Sequence, residues 1–238
     1  MRKKIDIRVF LLLATGFILA AIVGTISHEA GHYIAAKLLG YKKAEIHYGY
    51  TSLGDGRTYD SITSLNIKYQ RELEENVSFP EQDRYKHYVR RYSTEQVWIT
   101  AGGPIQTLLT GTIGLFILFA WRRSFKLKEK LNVGQWALIL ITLFWLRQTA
   151  NMIVWMVGYL FSGRFSHRGD EIKLALQFDW PFWTLAVITG LMGMIIQAIV
   201  VFKFIPARQR FTFIIAGLIG GVSGYFIWLY LLGPVLLP

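Results

Sequence analysis

Five stretches of this chain are apolar for longer than a soluble domain has use for, and they decide what it can fold into. The first, Ile7 to Ile26, is almost wholly apolar. About 20 such residues are what a helix needs to cross the hydrocarbon core of a bilayer. Comparable runs cover roughly residues 97–121, 133–161, 182–202 and 211–236. Inside lipid, backbone groups must find partners within the chain, which leaves helices for runs of this length. The expected fold is an all-α polytopic membrane protein with five transmembrane helices and a small β-hairpin-containing loop between the first two. With 53% hydrophobic residues among 238, the composition agrees.

A formal charge of +11 raises nucleic acid as a partner, so the position of the charge matters. Four Lys/Arg fall in residues 1–8, five in 122–130 and three in 203–210, all in short connections between apolar runs. That is the pattern of anchors facing the cytoplasm and not of a basic groove, so the expected partner is the lipid bilayer and no nucleic acid is expected. The same count places the amino terminus in the cytoplasm and the carboxyl terminus outside, in a multi-pass protein of the cell membrane. The basic start at Met1 resembles a signal peptide, but the apolar run behind it is too long, which predicts an uncleaved first helix. Cysteine is absent, so a metal site here must use histidine and carboxylate, and no disulfide braces a loop.

Residues 41–96 carry nine Lys/Arg against nine Asp/Glu. Glu45 to Tyr50 and Ser61 to Ile67 hold β-branched and aromatic residues on either side of Gly54-Asp55-Gly56, which predicts a β-hairpin. Tyr85, Val89 and Tyr92 predict a short amphipathic helix before the second span. That span opens on Ala101-Gly102-Gly103-Pro104, where the glycines admit another backbone and the proline starts a helix. Gly16, Ala20 and Gly24 in the first span, and Gly217 with Gly221 and Gly220 with Gly224 in the last, predict close helix packing. Residues 172–180 predict a short helix at the membrane surface, with Trp180 and Trp183 as interface anchors. His47 and His87 read as exposed loop residues.

Ionisable side chains inside a span are costly and mark function. The first apolar run ends in His28-Glu29-Ala30-Gly31-His32, the HExxH pattern. On a helix, residues four apart share a face, so His28 and His32 offer two imidazoles to one metal ion, with Glu29 beside it as a base for the attacking water. A catalytic zinc takes three protein ligands, so one more donor is required. After the third span the candidates are His167, Asp170, Glu171 and Asp179. Gly169 permits a sharp turn, and a helix beginning there would set Asp170 at its positive end, which favours the ionised carboxylate. The third span itself is interrupted by Arg147, Gln148 and Asn151. Arg147 and Asn151 share a face and could hold a substrate carbonyl, a ligand carboxylate or a structural network. By the span order, residues 28–32, 101–104, 147–151 and 166–171 all fall towards the same half of the bilayer.

The chain therefore resembles the site-2 protease family of intramembrane zinc metalloproteases, through His28-Glu29-Ala30-Gly31-His32 in a membrane helix, Gly103-Pro104, and an Asn then an Asp further on. The family's Gly-Pro-x-x-Asn reads Gly103-Pro104-Ile105-Gln106-Thr107 here. Its Asn-Pro-x-Pro followed by Leu-Asp-Gly is missing, and Asn151 and Asp170 are the nearest counterparts. The resemblance implies Zn2+ on His28, His32 and Asp170, Glu29 as catalytic base, and Asn151 or Arg147 assisting the oxyanion. It implies a metalloprotease core over residues 1–178, with 179–238 as two additional transmembrane helices. The expected function is intramembrane zinc endopeptidase, acting on a membrane-protein or peptide substrate. The alternatives are a non-catalytic scaffold that binds membrane proteins and a zinc hydrolase acting on lipid.

Overall fold

The computed structural model describes residues 5–54, 56–126, 130–164, 166 and 169–238. His167, one candidate ligand, and Asp55, in the expected turn, lie outside the described residues. In chain order the elements are α1 (Ile7–Leu38), β1 (Glu45–Ile46), β2 (Thr51–Ser52), α2 (Arg57–Lys68), α3 (Gln70–Glu74) and α4 (Gln82–Ala120). There follow α5 (Arg122–Lys126), α6 (Val133–Thr142), a 3-10 turn at Leu143–Trp145, α7 (Leu146–Ser162), α8 (Asp170–Gln177), α9 (Thr184–Ile199), α10 (Ala207–Phe226) and α11 (Gly233–Leu236). Five helical stretches, Ile7–Leu38, Gln82–Ala120, Val133–Ser162, Thr184–Phe204 and Ala207–Leu236, are long and apolar enough to cross a membrane. The protein is thus an all-α polytopic membrane protein with one small two-stranded sheet.

Two local expectations are corrected. Ser61 to Ile67 is not a strand but the body of α2. Thr58 and Leu65, two helical turns apart, are the buried positions of α2 and its other polar residues are at least partly exposed, a helical and not an alternating pattern. The hairpin is the tighter one made by β1 and β2, with Glu45 opposite Ser52 and Ile46 opposite Thr51, and it turns at Tyr48-Gly49 rather than at Gly54. The second correction concerns Pro104, which does not start a helix but lies inside α4. The amphipathic segment around Tyr85 and the second span are one helix of 39 residues, about 58 Å long. It therefore projects well beyond the hydrocarbon core, carrying its first turns out among the polar residues.

α1 is the central helix. Asp6 accepts from the Val9 amide at its amino end, satisfying one orphan donor. α10 packs along one side of it and α4 along another. Gly220 and Gly224 of α10 lie against the backbone at Ala14 and Ile18, whereas Gly24 and Gly221 meet nothing, so only part of each predicted small-residue stripe is used. Leu13 and Phe17 of α1, Leu118 of α4, Trp136 and Ile139 of α6, Val200 and Phe213 form one buried cluster at the amino-terminal half of α1. The polar site occupies the other half.

Above that half, the connection between α1 and α4 is tied down by a buried carboxylate. Glu95 accepts from Tyr41 Oη, Thr58 Oγ1 and Arg91 Nε, each at 2.9 Å. A buried charge is tolerated when it is bonded this completely. Burial, together with the bond to Glu95, pushes the Tyr41 phenol up. On the outer surface Lys68, Tyr69 and Arg84 converge on Glu81 and hold its carboxyl down at about 2.

Candidate metal and catalytic site

His28, Glu29 and His32 are all buried, at 1%, 5% and 8% exposure. Their candidate ligand atoms lie within 4.8 Å of one another. α8 packs on α4 and begins at Asp170, where Gly169 adopts φ 113, a conformation that side chains disfavour. This turn delivers the Asp170 carboxylate to the two histidines. Asp170 Oδ2 is 3.0 Å from His28 Nε2 and 3.3 Å from His32 Nε2. The two Nε2 atoms are 3.3 Å apart.

The partners of the other ring nitrogens assign the tautomers. The Gly103 amide lies 3.4 Å from His32 Nδ1, but the much shorter contact at 2.7 Å is to the Ile99 carbonyl, which can only accept, so Nδ1–H donates there. Thr107 spends its hydroxyl proton on the Gly103 carbonyl at 3.1 Å, so at 3.0 Å it accepts from His28 Nδ1–H. With both Nδ1 atoms protonated, both Nε2 atoms carry lone pairs. Three acceptors therefore face one another across a small triangle, an arrangement that only a shared cation, proton or metal, makes favourable. Tetrahedral ligands at about 2.0 Å from zinc stand roughly 3.3 Å apart, so the triangle has the right edge for that ion. The donors are nitrogen and carboxylate oxygen, which zinc accepts, and the backbone carbonyl on His32 and hydroxyl on His28 are the outer partners that metal-bound histidines use.

Glycine makes room for this triangle. A Cβ on Gly103 would stand 2.4 Å from His32 Nε2 and 2.6 Å from His28 Nε2, in the space between the donors. One residue earlier, Gly102 lies so close to Gly31 that a Cβ on either would come within about 2.4 Å of the other's carbonyl oxygen. Gly31, inside the HExxH sequence, and Gly102 thus set the α1–α4 spacing, while Pro104 is buried one position beyond.

Arg147 and Asn151 separate. Arg147 is half-buried, its Nε has no hydrogen-bond partner, and it acts electrostatically on His28 and Glu29. Asn151 is exposed on α7 and makes no side-chain hydrogen bond with the described residues. Glu171 points into the protein beside Asp170, at 5% exposure, and burial pushes its carboxyl up. Among the described residues its Oε1 and the Nε2 of Gln148 are also without hydrogen-bond partners.

Two contacts were not read from the sequence. Thr107 could have been noticed as the residue one turn after Gly103 on the same face. Thr51 could not: its hydroxyl donates to the Glu29 carbonyl at 2.9 Å and to Glu29 Oε2 at 3.1 Å, and only the folded hairpin brings them together. Comparison of the chain with protein-family models, with curated proteins and with solved structures finds no match.

Proposed function

We propose that this chain is an intramembrane zinc endopeptidase, similar in its site to the site-2 protease family, that hydrolyses peptide bonds in or near membrane-spanning segments. The observation that carries the reading is the triangle of unprotonated donors on His28, His32 and Asp170, with a buried carboxylate, Glu29, beside it. Held by these three residues, zinc would supply a Lewis acid that polarises the scissile carbonyl and makes water a better nucleophile. Glu29 takes the proton of the attacking water and returns it to the departing amine. Arg147, whose Nε is without a hydrogen-bond partner among the described residues, acts electrostatically on Glu29 and would stabilise the negative charge that builds on the carbonyl oxygen.

The hairpin supports a peptide substrate. His47 N donates to Tyr50 O at 2.9 Å, so this pair is bonded and the next, Ile46 with Thr51, is not. In an antiparallel ladder such a pair turns its peptide groups outward. Thr51 therefore offers a free strand edge next to Glu29, where an unwound substrate segment can replace the hydrogen bonds its helix gives up.

Metal analysis and cleavage assays on the purified full chain test the reading. One zinc per chain and chelator-sensitive cleavage of single-span membrane substrates are expected. Zinc without hydrolysis would leave the scaffold reading, and hydrolysis confined to lipid esters or amides would favour the lipid hydrolase.

The charge count supports an amino terminus in the cytoplasm, and the hairpin and carboxyl terminus share the other side, since Tyr48 N donates to Leu237 O at 2.9 Å. A membrane-impermeant thiol reagent on intact cells should label Ser64→Cys at once and Ser124→Cys only after permeabilisation. The opposite pattern would turn the site to the cytoplasmic face.

A further inference from the structure

We infer that Thr51 is a positioning residue for Glu29, and that through it strand β2 couples the seating of a substrate main chain to the orientation of the base. This rests on the reading of Glu29 as a base. Glu29 is buried inside α1, and among the described residues Thr51 is its only side-chain hydrogen-bond donor. The hydroxyl is shared between the Glu29 carbonyl oxygen and Oε2, so it fixes the side chain relative to its own backbone. With Oε2 held, Oε1 is the oxygen left to take a proton.

The same residue has a second face. The pairing of Ile46 with Thr51 turns the Thr51 amide and carbonyl away from β1, and among the described residues no main-chain bond reaches them. Side chain and peptide groups of one residue thus address the base and the free edge. The hairpin cannot drift as a whole, because its turn is pinned elsewhere: Trp228 Nε1 donates to the Tyr48 carbonyl at 2.7 Å and Tyr48 N to the Leu237 carbonyl at 2.9 Å. A strand added at β2 therefore acts on a short element fixed at its turn and at Glu29. Binding that orders β2 is transmitted to the carboxylate over one hydrogen bond, and a bond that couples two groups does so in both directions.

Thr51→Val removes the hydroxyl at nearly constant shape and Thr51→Ser keeps it. Misplacing a reacting group by about 1 Å costs on the order of 10²-fold. Thr51→Val should lower kcat by roughly 10- to 100-fold with KM within about twofold and zinc content unchanged, and Thr51→Ser should recover most of the rate. A second readout does not use turnover. Amide hydrogen exchange at residues 45–52 should speed up about tenfold in Thr51→Val and by less in Glu29→Ala, which keeps the bond to the Glu29 carbonyl, and the double variant should exchange no faster than Thr51→Val. Glu29→Gln, which still offers an oxygen to Thr51, should keep the wild-type protection. Wild-type kcat in Thr51→Val, a serine variant as impaired as the valine, or exchange effects that simply add would each overturn the coupling. A chain that cleaves no substrate would sink the peptidase reading alone, since the exchange measurement still decides whether the tether exists.

Discussion

Glu29→Gln is expected to remove turnover and leave zinc in place. The two results together are what separate a base from a ligand. Glutamine keeps the size of the side chain and an oxygen for the Thr51 hydroxyl, so the hairpin contact and the packing of α1 survive. What it loses is the ability to take a proton, and general-base catalysis is worth about 10²–10⁴-fold, or roughly 3–5 kcal/mol of barrier. The proposed metal donors, by contrast, are His28 Nε2, His32 Nε2 and Asp170 Oδ2, whose mutual distances of 3.0 to 3.3 Å do not involve Glu29. Purified Glu29→Gln should therefore hold wild-type zinc while cleaving single-span substrates at or below 1% of the wild-type rate, about the smallest loss that range allows. His28→Ala should lose both. Zinc loss in the glutamine variant would make Glu29 a ligand, and full activity would end the enzyme reading.

How much of this was legible in the sequence depends on how far each signal reaches along the chain. The five spans were, because apolar runs of membrane length are set by local composition and hardly by packing. The pair His28 and His32 was, because a four-residue spacing on a helix is geometry the sequence carries itself. Gly103 was noticed as a place for close approach, but not that two imidazole nitrogens, rather than another backbone, come near it. The second strand was misplaced because β-branched residues at Ile62, Thr63 and Ile67 favour strands only weakly, and two buried positions a helical repeat apart outweigh them. Pro104 was read as a helix start because the cost of proline inside a helix was set against it. α4 instead continues through Gly102 and Gly103, whose missing side chains are what the site needs. Among the described residues Asn151 makes no contact with the histidines. It lies one turn after Arg147 and is exposed, while α7 buries Gln148, Thr149 and Met152. Thr51 owes its role to a contact with a residue 22 positions away, which periodicity does not reach.

Zinc affinity should collapse in Asp170→Ala and in Gly103→Ala, for different reasons, and survive in Glu171→Ala. Asp170 supplies the one anionic donor in the triangle, and removing it leaves two imidazoles where a catalytic zinc takes three protein ligands. Removing even an outer partner of a ligand costs about 10–100-fold in metal affinity, so loss of the donor itself should cost more. Gly103→Ala touches no donor. Its Cβ would stand 2.4 Å and 2.6 Å from the two Nε2 atoms and fill the place the ion needs, and the helix backbone behind it cannot retreat without parting Gly102 from Gly31. Glu171 is the closest rival, as a neighbouring carboxylate buried to 5% exposure with an unpartnered oxygen. Yet no hydrogen bond joins it to either histidine, and burial pushes its carboxyl towards the neutral form, whereas metal ligation requires the ionised one. Zinc content measured against a competing chelator, with circular dichroism to establish that each variant is inserted and folded, separates the three. Zinc retained in Asp170→Ala and lost in Glu171→Ala would move the third ligand one residue along α8. Zinc retained in Gly103→Ala would mean that the ion does not lie between the two imidazoles at all.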